Sequence, residues 1–274
     1  MVFRLNGAGK KVVIMASAKI ARSRKPPHPK GLAESAVTVS VVMPTLNEAK
    51  NLPHVLPRMP DWVDEVLLVD GFSTDGTIEE ARRLCPNIRV VMQEGQGKGA
   101  ALRTGFAVAK GDIIVTVDAD GSTDPAEMSA FVDALLAGAD YAKGSRFAEG
   151  GGSADMPFHR IVGNTIHAVV ARMLFGGSYT DVNYGYNAFW RHVILGLDLD
   201  CDGFEVEALM NVRALRAGLN VVEVPSFEYE RLHGTGHLRS IPDGWRILRT
   251  ILLERFRPNT VSVVPREKPV EMID

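Results

Sequence analysis

Cysteine is scarce in this sequence of 274 residues: Cys85 and Cys201 stand far apart and in no metal-ligand spacing. That argues against a disulfide scaffold and makes a reducing compartment, the cytoplasm, the expected location. No apolar run reaches the roughly 18 residues that a membrane-spanning helix needs. Lys10-Lys11 followed by Val12 to Ala18 faintly imitates a signal peptide, but Lys19 ends the run and no convincing cleavage site follows. A P-loop is missing too, because Asn6 to Lys11 lacks the Gly-x4-Gly-Lys-Ser/Thr spacing. There is no large charge excess either, the formal net charge being −2. What is present is 46% hydrophobic and 23% charged, an ordinary globular composition with ample core for one α/β domain.

The charge is nevertheless uneven. Residues 1–36 hold eight basic side chains against Glu34 alone, a net of +7, which leaves −9 for the rest. Such an arm reads as solvated and disordered, with attraction to anionic lipid or nucleic acid as the sharper alternative. Arg24 to Gly31 is a linker by composition. The folded body is therefore expected over 37–258, with a C-terminal tail over 259–274.

Val39 to Met43, Glu65 to Val69, Ile88 to Met92 and Ile113 to Val117 read as buried strands, each followed by a loop and a helix. That repeat predicts an α/β fold with a mainly parallel central sheet flanked by helices. Its loops gather on the sheet edge where ligands bind. Asp124, Pro125 and Glu127 make a helix start, with Glu127 at the capping-box position. Tyr141 to Lys143 reads as strand, Phe158 to Phe175 and Phe204 to Ala217 as helices, and Val221 to Val224 as strand. Ile241 to Phe256 reads as a basic amphipathic helix, with Ile241, Trp245, Leu248, Leu252 and Phe256 in one stripe. Core packing is the usual fate of such a stripe; contact with a membrane surface is the alternative.

The fourth strand ends in Asp118-Ala119-Asp120. Two carboxylates there repel each other unless a cation sits between them. Mg2+ or Mn2+ takes carboxylate and phosphate oxygens together, so the pair predicts a metal that receives a phosphorylated ligand. The bland reading is a polar turn. Three more clusters share that edge: Pro44-Thr45-Leu46-Asn47-Glu48, Asp70, and Lys98 between Gly97 and Gly99. Asp70 can accept from a nucleobase or ribose, or merely cap the next helix. Lys98 can approach a nucleotide closely because the glycines add no side chains, or merely be solvated.

In this order the clusters are specific. Val-Val-Met-Pro-Thr-Leu-Asn-Glu (41–48), Val-Asp-Gly-Phe-Ser-Thr-Asp-Gly-Thr (69–77), Gly-Lys-Gly (97–99), Asp-Ala-Asp (118–120), Gly-Ser-Arg-Phe (144–147) and Asp-Val-Asn-Tyr-Gly-Tyr (181–186) run through most of the chain. They resemble a family-two glycosyltransferase of GT-A fold, in its dolichol-phosphate mannosyltransferase-like, polyprenyl-phosphate branch. The resemblance implies a nucleotide-diphosphate sugar donor, UDP- or GDP-linked, a divalent metal and an inverting transfer, most readily to a polyprenyl phosphate. It implies no nucleic-acid partner, and a cytoplasmic protein, peripheral on the inner face of the cell membrane where its acceptor is a lipid. Residue by residue, it makes Pro44, Thr45, Asn47, Glu48, Asp70, Lys98 and Ala119 donor contacts. It makes Asp118 and Asp120 the metal-binding pair, Arg146 a phosphate-facing arginine and Asp181 an acid near the acceptor. The late Arg231-Leu-His233-Gly234-Thr-Gly236-His237 segment stands where the family carries an Arg-x-x-Gly-x-Ser-Lys loop, making Arg231, His233 and His237 acceptor-phosphate candidates. Gly71 replaces the second aspartate of the usual Asp-Asp pair, Gly236 the serine and His237 the lysine.

A hydroxyl acceptor would need a carboxylate to take its proton, and Asp181, Glu205 and Glu207 are the candidates. Glu205 and Glu207 also open a helix, where a capping role serves equally. Two rival readings remain. Gly95-x-Gly97-x-x-Ala100 fits an NAD(P)-dependent Rossmann oxidoreductase, but leaves Pro44 to Glu48, Asp70 and Asp120 without a task. A non-catalytic sugar or lipid-phosphate binding module would bind the donor and never transfer it.

Overall fold

The structure is a computed structural model that describes residues 2–5, 12–15, 27–33 and 35–258. Near the N-terminus β1 (Val2–Leu5) and β2 (Val12–Met15) pair antiparallel. Then come β3 (Val39–Thr45), α1 (Leu52–Val55), β4 (Glu65–Asp70), α2 (Thr77–Leu84), β5 (Arg89–Met92), α3 (Lys98–Val108) and β6 (Ile113–Thr116). The second half holds α4 (Met128–Leu136), β7 (Tyr141–Ser145), β8 (Gly152–Met156), α5 (Phe158–Phe175), β9 (Asn187–Trp190) and α6 (Arg191–Gly196). It closes with α7 (Val206–Arg216), β10 (Val221–Pro225), β11 (Phe227–Glu228) and α8 (Ser240–Glu254).

Seven strands make the central sheet in the order β10-β7-β9-β6-β3-β4-β5. All neighbours run parallel except β9, which is antiparallel to both β6 and β7. From Val39 to Met43 every residue of β3 is buried, as a central strand covered on both faces requires. Ser40 is tolerated there because its hydroxyl donates to Glu65 (2.6 Å) and accepts from the Gly111 amide (2.8 Å). Because β3, β4 and β6 are parallel, the loops after them meet at one end of the sheet.

Four expectations change. The stretch 1–36 is not unstructured throughout: β1 and β2 lie within it, and β2 pairs antiparallel with β8. Its β-branched run Val12-Val13-Ile14 suits a strand. The body begins before residue 37, since Leu32 is buried and Trp62 Nε1 donates to the Pro27 carbonyl (3.1 Å). The tail expected over 259–274 lies outside the described residues. Glu127 does not close a capping box: Asp124 accepts from the Ala126 amide (2.9 Å), while the Glu127 carboxylate accepts from the Ser226 hydroxyl and the Phe227 amide. Last, α8 packs on α5 and α7 through Ile247 and Ile251, so its predicted stripe is largely turned outward. Ile241, Trp245 and Phe256 are 85%, 65% and 85% exposed. Phe158, Ile166 and Met173 of α5 are exposed as well. No helix among the described residues is long and apolar enough to cross a membrane.

Candidate active site

The loops after β3, β4, β5 and β6 converge with α5, α8 and the segment 228–239 on one cleft of about 1030 Å3. Ten of the residues singled out in the sequence line it: Pro44, Thr45, Glu48, Lys98, Asp118, Ala119, Asp120, Arg146, Arg231 and His237. Glu207 and Glu228 line it as well.

Every lining carboxylate has a cationic partner. Lys98 Nζ lies 2.8 Å from Asp118 and 2.9 Å from Glu207. Burial would lower the ammonium's pKa, but the two carboxylates outweigh it and hold the group charged. Burial raises the pKa of Glu207 against the opposing pull of Lys98. Arg231 reaches Asp120 (3.1 Å) through one Nη and Glu48 through the other. Asn51 also donates to Glu48, whose pKa burial raises. Arg146 donates to Glu228 (3.1 Å).

The glycines around Lys98 also have a structural use. A Cβ on Gly97 or Gly99 would collide with backbone of the Cys201–Gly203 segment, and Gly99 N donates to the Asp202 carbonyl (2.7 Å). They dock the chain that leads into α7, which brings Glu207 to Lys98. Gly185 is needed by the same cluster, since a Cβ there would meet Lys98 Nζ, Asp118 and Glu207.

Five expected site residues do not line the cleft. Asp181 is fully buried and held by Arg146 in a fork, Nε to Oδ2 at 2.7 Å and Nη2 to Oδ1 at 3.1 Å. Burial acts to raise its pKa, yet the charge and hydrogen bonds of Arg146 prevail and hold it below the usual carboxylate range. A carboxylate so engaged orients Arg146, whose guanidinium also stacks on Tyr184 at 4.8 Å. Asp70 is buried: its Oδ2 accepts from Ser73 N (2.8 Å) and its Oδ1 has no hydrogen-bond partner among the described residues. Asn47 joins two loops, accepting from Thr74 N while its own amide donates to Ser73. His233 anchors the late loop, exchanging backbone hydrogen bonds with the Asn51 side chain. Glu205 is buried at the start of α7, where its Oε2 has no hydrogen bond among the described residues but lies 3.8 Å from Arg246.

Sequence reasoning missed several cleft residues. Gln93, His159, Arg160, His167 and Asn183 line it from the loop after β5, from α5 and from the segment before β9. The α5 residues could have been found as polar positions on the helix's inward face. Nothing in the sequence marked Gln93.

Among the described residues, no group of three or more His, Cys, Asp or Glu side chains is arranged to hold a metal ion. Charge still favours one once a diphosphate is present. The cleft is lined by five carboxylates against Lys98, Arg146, Arg160 and Arg231, so it is not positive enough to receive a polyanion unaided. Both strand-end carboxylates are partly exposed, Asp118 at 29% and Asp120 at 20%, and the Arg231 partner of Asp120 sits on a loop. A carboxylate or two completed by phosphate oxygens is an ordinary Mg2+ site.

A parallel sheet with one reversed strand, and a cleft of carboxylates and arginines at its loop edge, defines a glycosyltransferase of GT-A type. The comparisons agree. The model of glycosyl transferase family 2 matches residues 40–196, and the chain belongs to that family. It is 36% identical to polyprenol monophosphomannose synthase of Mycolicibacterium smegmatis over 211 residues, 72% of this chain and 80% of that one. It is 33% identical to undecaprenyl-phosphate mannosyltransferase of Micrococcus luteus over 205 residues, 70% of this chain and 84% of the other. Among solved structures it resembles glucosyl-3-phosphoglycerate synthase of Mycobacterium tuberculosis, in complex with Mn2+, UDP and phosphoglyceric acid. There the TM-score is 0.65 at 26% identity, covering 85% of this chain and 84% of that one.

Proposed function

We propose that this glycosyltransferase moves a sugar from a nucleoside-diphosphate donor to a polyprenyl phosphate at a membrane surface. The observation that carries the reading is the cleft's make-up. Its floor is charged, while Ile241, Trp245 and Leu248 of α8 and Ile166 of α5 line it where those helices expose apolar side chains outward. A lipid phosphate needs such an amphipathic entrance: a cationic interior for its head and an apolar rim for its chain. The relatives named for polyprenol and undecaprenyl phosphate support the same acceptor class.

Asp118 and Asp120 would hold Mg2+ or Mn2+, which supplies positive charge for the donor diphosphate. Arg146, fixed by Asp181, faces the cleft as a rigid donor for developing phosphate charge. Arg231 releases Asp120 and Glu48 on ligand entry and turns to an anion in the cleft. No lining carboxylate is uncommitted enough to serve as a strong base, since each is paired with Lys98, Arg146 or Arg231. A lipid phosphate needs none, because it is ionised near neutral pH. That chemistry favours it over a hydroxyl acceptor.

Binding tests both ends. Calorimetry should show UDP or GDP binding that needs Mn2+ or Mg2+ and disappears in EDTA. Flotation should carry the protein up with vesicles containing polyprenyl phosphate and anionic lipid. Metal-independent binding of NADH instead would support the oxidoreductase and sink the proposal.

A further inference from the structure

The nucleotide end of the cleft carries one feature that the reading above leaves unused. We propose that Phe72 is a stacking platform for the donor's nucleobase and so sets how tightly the nucleotide is held. This deepens the donor reading and rests on it.

Phe72 lines the cleft beside Pro44, Thr45 and Gln93. Its backbone is left-handed, with φ of +65°, a conformation that bulky side chains rarely adopt. The residue is 60% exposed. An aromatic ring held in a disfavoured backbone while uncovered gains nothing from core burial, which points to a ligand-facing role.

The position is over-determined by its neighbours. Ser73 N donates to Asp70 Oδ2 (2.8 Å). Asn47 N donates to the Ser73 hydroxyl (2.8 Å), and Thr74 N donates to Asn47 Oδ1 (2.8 Å). Asn47 is itself left-handed, with φ of +55°. The loops after β3 and β4 are thus stitched together on both sides of Phe72, and the ring is presented from a fixed base.

What surrounds the ring suits a planar heterocycle with an N–H edge. Asp70, two residues back, does not itself line the cleft, but among the described residues its buried Oδ1 has no hydrogen-bond partner. The space opened at Gly71 is approached by the Gln93 amide, whose Oε1 would stand 3.1 Å from a Cβ placed there. Gln93 Nε2 donates to the Gly95 carbonyl (2.9 Å), which leaves Oε1 as an acceptor facing that space. Uracil and guanine both carry a ring N–H between polar groups and a π-face for Phe72. The chemistry recognised is that of a nucleobase with such an edge.

The test is calorimetry in Mn2+ with UDP, GDP and inorganic pyrophosphate, on the native protein and on Phe72→Ala, Phe72→Gly and Phe72→Trp. Glycine suits the left-handed backbone, so it separates loss of the ring from distortion of the loop. Removing the ring should weaken the preferred nucleotide about five- to a hundredfold, the range for a base stacked on an aromatic side chain. Pyrophosphate should bind all four proteins alike, and Phe72→Trp should keep nucleotide affinity. Equal nucleotide affinity in native and Phe72→Gly proteins would overturn this proposal alone. So would a parallel loss of pyrophosphate affinity, which marks loop collapse. Failure of the native protein to bind either nucleotide would overturn the donor reading as well.

Discussion

Two arginines at the cleft each hold a pair of carboxylates, and the difference between them separates scaffold from working parts. Arg146 follows β7, grips the fully buried Asp181 in a fork and stacks on Tyr184. Arg231 sits on the loop before α8 and reaches Glu48 and the partly exposed Asp120. A buried forked pair cannot be parted without leaving a charge in low dielectric. Arg231 stands at the wall of an open cleft, where an entering anion can take the place of a partner while Asn51 still donates to Glu48. On this view Asp181 positions Arg146, and the Arg231 pairings hold Asp120 and Glu48 until ligands arrive.

The sharpest way to break the comparison is Asp181→Asn. It leaves the Arg146 charge short of its buried partner and should cost about 3–5 kcal/mol of stability, read by urea unfolding. Near-native stability with lost transfer would make Asp181 a catalytic residue after all. Asp120→Ala should do the opposite. Its fold should stay intact, and transfer should fall about a hundredfold, as when one main charge-stabilising element is lost. Arg231→Ala should cost less stability than Asp181→Asn, because Asp120 keeps some access to water and Asn51 still donates to Glu48, yet impair transfer. A cost as large as that of Asp181→Asn would erase the distinction.

Glu127 supplies the smallest and most specific contrast. It is a carboxylate largely withdrawn from water with no cationic partner among the described residues, and burial pushes its pKa up to about 7. Because the folded value is raised, its stabilising contribution is complete below about pH 4 and is lost as pH rises through about 7. Asp181, whose value is lowered, contributes above the usual carboxylate range and loses that as pH falls. Glu127→Gln should therefore gain on the order of 1 kcal/mol relative to the native protein at pH 8 and nothing at pH 5. Parallel stability curves for the two proteins across that range would refute the assignment.

The four strand–loop–helix units were legible because buried parallel strands are continuous β-branched runs, as in Ile113-Ile114-Val115. The strand-end carboxylates were legible for the same reason, since strand ends fix where loops gather, whereas Arg146 was legible only through the resemblance carried by Gly-Ser-Arg-Phe. β9 was not. Asn187-Ala188-Phe189-Trp190 has neither alternation nor an apolar run, and its place between β6 and β7 is set by tertiary pairing. The Lys98–Glu207 pair joins residues more than a hundred positions apart, through glycines whose use shows only in three dimensions. The outward turn of Trp245 was hidden because α8 carries apolar residues on two faces, and only packing against α5 and α7 decides which is covered.

The most direct measurement is transfer itself. Labelled UDP- and GDP-sugars would be incubated with the protein, Mg2+ or Mn2+, and vesicles containing undecaprenyl phosphate, and label followed into the lipid phase. The account predicts lipid-bound label that requires both the polyprenyl phosphate and the divalent cation, and that falls about a hundredfold in Asp120→Ala. Donor consumption at the same rate with and without the lipid, with all label in a water-soluble product, would contradict it.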